Sequence, residues 1–327
     1  MHPAFSVIFL TTLIGAGQGL FLALFTGQIF SQFNLMPEQH NSNFYVIGSF
    51  IALVLMTLGL FSSFFHLGHP ERAWRSAAKW RTSWLSREVI ALPATMAGIF
   101  AYGLAHYMGW KSPIFTMPGG TAVDATLLTG LLATILTYTL FVCTGMIYGC
   151  IKFLQEWHSP LTVINFILLG TASGFTLVTA LSAYMKTDLT SFYASWAIFF
   201  TVLALIFRLA SLRRNKRIKP ISDLRSAIGV NHKNIRQMAQ GSMGGSFNTR
   251  EYFHGKKASF VKSMKVIFLI FAFIIPLVLL GASLGTPSAY IIPLIAIVIQ
   301  FMGLIAERWY FFADANHPQN MYYQQIS

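Results

Sequence analysis

Charge is scarce in this 327-residue chain: Asp, Glu, Lys and Arg together make up 10% of it, and only 10 residues are acidic. Soluble globular proteins carry roughly 25% charged residues, so an ordinary water-soluble fold is excluded at the outset. Cysteine is scarcer still. Cys143 and Cys150 stand in one apolar stretch at a spacing that matches neither a CxxC pair nor an iron–sulfur ligand set. That excludes a disulfide scaffold and predicts no iron–sulfur cluster held by this chain. What is abundant is apolar: 55% hydrophobic residues, 30 Phe and a mean hydropathy of +0.59. The net charge of +13 would suggest nucleic acid in a soluble protein. Here the positive residues fall between apolar runs, where membrane orientation accounts for them.

Runs of about 20 apolar residues are needed to cross a bilayer. Eight are present, at Ala4–Phe30, Phe44–Phe65, Val89–Tyr107, Ala122–Leu154, Leu161–Tyr184, Phe192–Ala210, Val266–Leu284 and Ile291–Phe312. The chain therefore reads as an all-α integral membrane protein with eight transmembrane helices. It divides into two four-helix halves, residues 1–158 and 159–327, the second carrying a long basic loop over 211–265. The first block lacks a basic leader and is too long for a signal peptide, so it is read as a retained helix. Gly15 and Gly19 have the GxxxG spacing of close helix packing. Pro93, Pro276 and Pro293 are expected to kink or unwind their helices locally. No internal repeat of the kind found in many secondary transporters is visible.

The basic residues alternate between sides. The loop between helices 2 and 3 carries Arg72, Arg75, Lys79, Arg81 and Arg87, the next loop on that side Lys152, and the stretch from Arg213 to Lys265 thirteen more. The opposite loops hold Lys111 and Lys186. The positive-inside rule then puts both termini and the basic loops in the cytoplasm. The long loop has two readings. A run such as Leu212–Lys219 suits anionic lipid headgroups; it equally suits docking of a soluble partner through Arg213, Arg214 and Arg217.

Haem in a helical bundle needs imidazoles projecting from helix interiors. His2, His40, His66, His69, His106, His158, His232, His254 and His317 all fall in loops, termini or helix ends, so no haem and no metal site are expected. Gly68 and Pro70 end the second helix, leaving His66 on its last turn and Glu88 in the first turns of helix 3, on the same side of the membrane. Trp74, Trp80 and Trp84 are expected to wall this place. A quinone head group asks for hydrogen-bond donors at its carbonyls and a proton route to water, which a histidine and a carboxylate supply. The plainer account makes His66 a helix cap, Glu88 a partner of the helix 3 dipole, and the tryptophans an interfacial belt.

The stretch HLGHPERAWRSAAKWRTSWLSREV (residues 66–89) resembles the signature of the membrane anchor subunits of the dimethyl sulfoxide reductase family. The opening MHPAFSVIFLTTLIGAGQGLFLALFTGQ, the segment Asn248–Gly255 and the closing AERWYFFADANHPQNMYYQ are more similar to one branch, the membrane subunits of cytoplasmic-facing, quinone-reducing sulfite dehydrogenases. The resemblance covers most of the chain. It implies a bacterial plasma-membrane anchor without haem, passing electrons between the quinone pool and a ferredoxin-like iron–sulfur subunit. That subunit in turn serves a molybdopterin catalytic subunit. It also implies that His66 and Glu88 form the quinone site. The family's loop arginine falls on either Arg75 or Arg81, and Tyr148 is on the right side to line the pocket.

Other polar residues are read as structural: Gln18 satisfied within the bundle, Glu307 and Arg308 anchoring helix 8 at the membrane border beside Trp309 and Tyr310. Three alternatives remain open. One is a dimethyl sulfoxide reductase-type anchor that oxidises quinol, another an anchor that does not itself touch quinone. The third is a small-molecule transporter, disfavoured by the lack of any charged pair within the spans.

Overall fold

The computed structural model describes residues 1–36, 41–116, 122–221, 223–236, 238, 252–286, 289–318 and 320. His40, the glycine-rich stretch at Gly241–Gly245 and Asn248–Glu251 lie outside them.

Among the described residues eight helices are long and apolar enough to cross a membrane. In hydrocarbon a backbone must satisfy its own polar groups, and the α-helix does so within one segment. They are α1 (Phe5–Gln32), α2 (Ser42–Ser63), α3 (Trp84–Tyr107), α4 (Ala125–Gly149), α5 (Pro160–Tyr184) and α6 (Thr190–Asn215). A short helix α7 (Leu224–Ile228) precedes the seventh span α8 (Ala258–Gly285) and the eighth, α9 (Ile291–Ala313). Starts are set by short polar side chains that cap free backbone N–H groups. Ser83 accepts from Ser86 N at 3.3 Å, Asp124 from Leu127 N at 2.9 Å, and Ser159 from Leu161 N at 3.2 Å. Between α3 and α4, β1 (Phe115–Thr116) pairs antiparallel with β2 (Ala122–Val123).

The spans α6 and α8 run further than hydropathy alone suggests on the basic side, whereas α4 stops at Gly149, short of the expected Leu154. α6 continues to Asn215 and α8 begins at Ala258, so Arg213, Arg214, Lys262 and Lys265 sit on helix ends rather than in loop. Long cationic side chains tolerate such positions because their heads reach water while their stems stay apolar.

α1 is the central helix, packed on α2 and α5. Its Gly15 and Gly19 meet a second pair at the same spacing, Gly170 and Gly174 on α5. A Cβ at Gly15 would sit 3.6 Å from Gly170 Cα, one at Gly19 would strike the Gly170 carbonyl, and one at Gly174 would strike the Gly19 backbone. The two backbones are thus in direct contact. The main apolar cluster runs from α1 through α6 and takes in Leu280 and Ala296 of the last two spans.

Pro276 acts as expected, with a refinement. A proline removes its own N–H and frees the carbonyl four residues earlier, here Ala272. A π-helical segment, Ile270–Ile274, ends two residues before it. Gln300 of α9 donates to the Ala272 carbonyl at 3.4 Å and to Thr201 Oγ1 at 3.3 Å. Pro293 lies in the first turn of α9, and Pro93 leaves α3 unbroken.

Candidate functional site

Glu88 is the fifth residue of α3, one turn inside the Ser83 cap. Its carboxylate turns into the bundle, where Thr144 of α4 donates a hydrogen bond to Oε1 at 2.5 Å. Glu88 and Thr144 line a cavity together with Leu10, Thr11, Thr12, Ile14, Gly15 and Gln18 of α1, Phe166 and Ser173 of α5, and Arg308 of α9. Its volume is about 20 Å³, enough for about one water molecule and too small for an aromatic ring. Every helix around it contributes residues from its basic-loop half. The lining is unusually polar for a membrane interior, where ionisable groups are costly and mark functional places.

Gln18 is satisfied inside the bundle, its Nε2 donating to the Thr137 carbonyl at 3.0 Å. Thr11, Thr12 and Ser173 donate to backbone carbonyls of their own helices, which leaves their oxygens as acceptors on the cavity wall.

The reading of Glu307 and Arg308 as a membrane-border anchor is wrong. Glu307 is 0% exposed and Arg308 5%. Glu307 Oε1 lies 2.8 Å from Arg208 Nε on α6, and Oε2 lies 3.6 Å from Arg308 Nε. The expected lack of a charged pair within the spans is corrected with it. Arg208 and Arg308 are further held against rings: Arg308 lies 3.8 Å from the Phe166 centroid and Arg208 5.5 Å from that of Phe268. Two guanidinium groups share one carboxylate, so the group keeps one positive charge, and Arg308 presents it to the cavity that Glu88 lines.

The other expected site residues are distributed differently. His66 ends a 3₁₀ turn, Phe64–His66, that prolongs α2; it is exposed, makes no side-chain hydrogen bond among the described residues and does not line the Glu88 cavity. Beside it Phe61, Phe64 and Phe65 are exposed toward the lipid phase. Trp74 and Trp80 project from the α2–α3 loop, 71% and 52% exposed, with Arg75 and Arg81 lying over them at 5.6 and 5.2 Å. They do not wall Glu88. Trp84 is half-buried against the main core, with Arg87 over its ring at 4.2 Å. Tyr148 packs in an aromatic nest with Trp157, Phe166, Phe311 and Phe312; of these rings Phe166 lines the cavity, and Tyr148 does not.

Arg308, Thr144 and Ser173 were not anticipated. For Arg308 a signal existed: two adjacent opposite charges, Glu307-Arg308, inside an apolar block. Thr144 and Ser173 carry no signal in a chain whose helices contain many hydroxyls.

A family model described as "DMSO reductase anchor subunit (DmsC)" matches residues 1–313. The chain belongs to that family. It is a membrane anchor subunit of a molybdoenzyme complex. One of the subunits of the sulfite dehydrogenase of Allochromatium vinosum is 55% identical over 327 residues, covering 100% of both chains. Among the described residues of this anchor subunit, no three His, Cys, Asp or Glu side chains gather as a metal ligand set.

Proposed function

We infer that this anchor subunit is the quinone-reactive member of a sulfite-oxidising complex in a bacterial plasma membrane, with its basic loops and both termini cytoplasmic. A ferredoxin-like iron–sulfur subunit docks on the basic side and passes on electrons from a molybdopterin subunit. The observation that carries this reading is Glu88: a half-buried carboxylate on the basic side, hydrogen-bonded by Thr144 and bordering a cavity that can hold water.

Quinone reduction takes two electrons and two protons. The cavity is too small for the ring, so the head group sits at the border between the end of α2 and the start of α3. The exposed aromatics at Phe61, Phe64 and Phe65 give it an apolar approach from the lipid. His66 hydrogen-bonds one carbonyl and supplies one proton, the second proton comes from water at the border, and Glu88 reconnects the site through cavity water to the cytoplasm, from which His66 is reprotonated. Arg75, Arg81, Trp74, Trp84 and Tyr148 are the further residues of the proposed surroundings. Electron transfer over short distance also favours a quinone on the docking side rather than across the bilayer.

The test compares the His66→Phe and Glu88→Gln complexes with the parent, using a quinone and then an artificial acceptor that bypasses it. Assembly is expected to survive in both, quinone-coupled turnover to fall on the order of a hundredfold, and turnover with the artificial acceptor to stay at the parental level. An assembled His66→Phe complex that reduces quinone at the parental rate would place the head group elsewhere.

A further inference from the structure

The basic run at the end of the sixth span has two sequence readings, and the structure divides the run between them. Arg213 and Arg217 are exposed. Arg214 turns back onto the α4–α5 loop, its guanidinium donating to the carbonyls of Gln155 at 3.0 Å, Glu156 at 3.5 Å and His158 at 2.9 Å, and to Asn215 Oδ1 at 3.1 Å. This clamp joins the end of α6 to that loop and leaves an open cavity of about 290 Å³ between them.

The cavity is lined by Lys152, Gln155, His158, Arg214, Ile218, Lys219 and Ile221. Three permanent cations and an imidazole face it, and among the described residues no carboxylate does. Glu156, the acid of that loop, is engaged elsewhere, accepting from Asn316 Nδ2 at 3.4 Å. His158 Nδ1 lies 2.7 Å from the Gly149 carbonyl, so it carries its hydrogen there and leaves Nε2 as its remaining polar atom. α4 and α6 end and α5 begins beside this pocket, which places it at the membrane border. Apolar side chains share the lining: Ile218 and Ile221, the latter 85% exposed, and Val202, Ile206 and Leu209 lie exposed along α6, the helix that ends there.

We propose that this pocket binds a phosphate-bearing anion, and that the anion is the headgroup of an acidic phospholipid. A concave surface of one sign with apolar walls concentrates its counter-ion more than scattered lysines do. Basic pockets between helices on the cytoplasmic side are suited to phosphate headgroups, and charge-assisted hydrogen bonds to phosphate oxygens are among the stronger ones. The depth decides between sources. A free phosphate has no use for the apolar rim, whereas a phospholipid lays its acyl chains along the exposed face of α6. The proposal does not depend on the quinone reading, because none of these residues lines the Glu88 cavity.

The test uses the full complex, purified in mild detergent and examined by native mass spectrometry before and after delipidation. The delipidated complex is titrated separately with phosphatidylglycerol, phosphatidylcholine and inorganic phosphate. The parent is expected to retain acidic phospholipid and to rebind phosphatidylglycerol in preference to phosphatidylcholine. Lys152→Gln combined with Lys219→Gln is expected to weaken that rebinding roughly thirtyfold, with Lys111→Gln on the opposite side as the unaffected control. A photoreactive phosphatidylglycerol should cross-link to residues 152–158 or 214–221 in the unaltered complex, a readout that needs no variant. Equal rebinding by parent and double variant, or cross-links confined to other regions, would overturn the site. Binding of inorganic phosphate without discrimination between the two lipids would overturn the lipid assignment.

Discussion

Thr144 on α4 donates its hydroxyl hydrogen to the Glu88 carboxylate on α3 across 2.5 Å, inside the membrane and one turn from the basic surface. The bond joins two adjacent helices at the one place where the polar cavity reaches a carboxylate. Thr144→Val keeps the shape and removes the donor, taking one partner from a half-buried carboxylate at a cost of about 1 kcal/mol. Under the quinone proposal its effect on quinone-coupled turnover is expected to be about tenfold, smaller than that of Glu88→Gln. Thr144→Ser should restore it, and an artificial acceptor should bypass it. Parental quinone turnover in Thr144→Val would detach this hydrogen bond from the chemistry.

The backbone contact between α1 and α5 predicts a large packing effect at small residues. Gly19 faces the Gly170 and Thr171 main chain and Gly174 that of Gly19 and Leu20, so even a methyl group has nowhere to go. Gly19→Leu and Gly174→Val are expected to lower the midpoint of thermal unfolding and the yield of assembled complex. Overpacking of this sort costs about 1–3 kcal/mol or more. Gly281, where nothing lies within 4 Å of an added Cβ, serves as control; Gly281→Ala should match the parent.

These two regions show how much could be read beforehand. The eight spans were legible because length and hydropathy decide them in a bilayer; the structure lengthens α3, α6 and α8 through residues that include arginines and lysines and shortens α4 to Ala125–Gly149. The Gly15–Gly19 pair was legible as a packing face. Its partner, Gly170–Gly174, acquires meaning only from the crossing of α1 and α5, which no local pattern encodes. In the candidate site Glu88 stood out because a carboxylate beside an apolar block is costly. Arg308 was misplaced because an adjacent tryptophan and tyrosine imitate a membrane-border belt; its burial depends on Arg208 of α6, a hundred residues earlier in the chain. The α2–α3 tryptophans were grouped with Glu88 by proximity in sequence, while the loop carries Trp74 and Trp80 outward.

The buried trio of Arg208, Glu307 and Arg308 makes a distinctive stability prediction. Removing one member of a buried ion pair strands the other charge and costs about 3–5 kcal/mol. Glu307→Gln should therefore lower the thermal midpoint sharply, since two guanidinium groups then lose their shared carboxylate. Arg208→Met added to Glu307→Gln removes one stranded cation and should recover part of the loss. Arg308 remains, so recovery should be incomplete. Independent, additive losses from the two substitutions would mean that the 2.8 Å contact contributes no coupling.

The last prediction separates orientation from docking. Ser226, in the α7 turn, is exposed on the side that carries the basic loops. Cys143 is buried but Cys150 is exposed on that same side, so labelling requires a Cys150→Ser background. A Ser226→Cys chain in intact cells should resist an impermeant thiol reagent and react once the membrane is opened; labelling in intact cells would reverse the orientation proposed for every loop. Docking is tested by charge reversal in the same orientation. Arg213→Glu with Arg217→Glu changes two exposed side chains that hold no carbonyl among the described residues, so under the proposed docking it should weaken capture of an iron–sulfur partner while the anchor itself remains stable. Arg214→Glu should behave differently. It breaks the clamp on the Gln155, Glu156 and His158 carbonyls, so the anchor's own thermal midpoint should fall whether or not the partner is present. Lys111→Glu, on the opposite side, should do neither. If Arg213→Glu with Arg217→Glu leaves partner capture at the parental level, the exposed part of the basic run acts in topology alone and the docking surface lies elsewhere on that side.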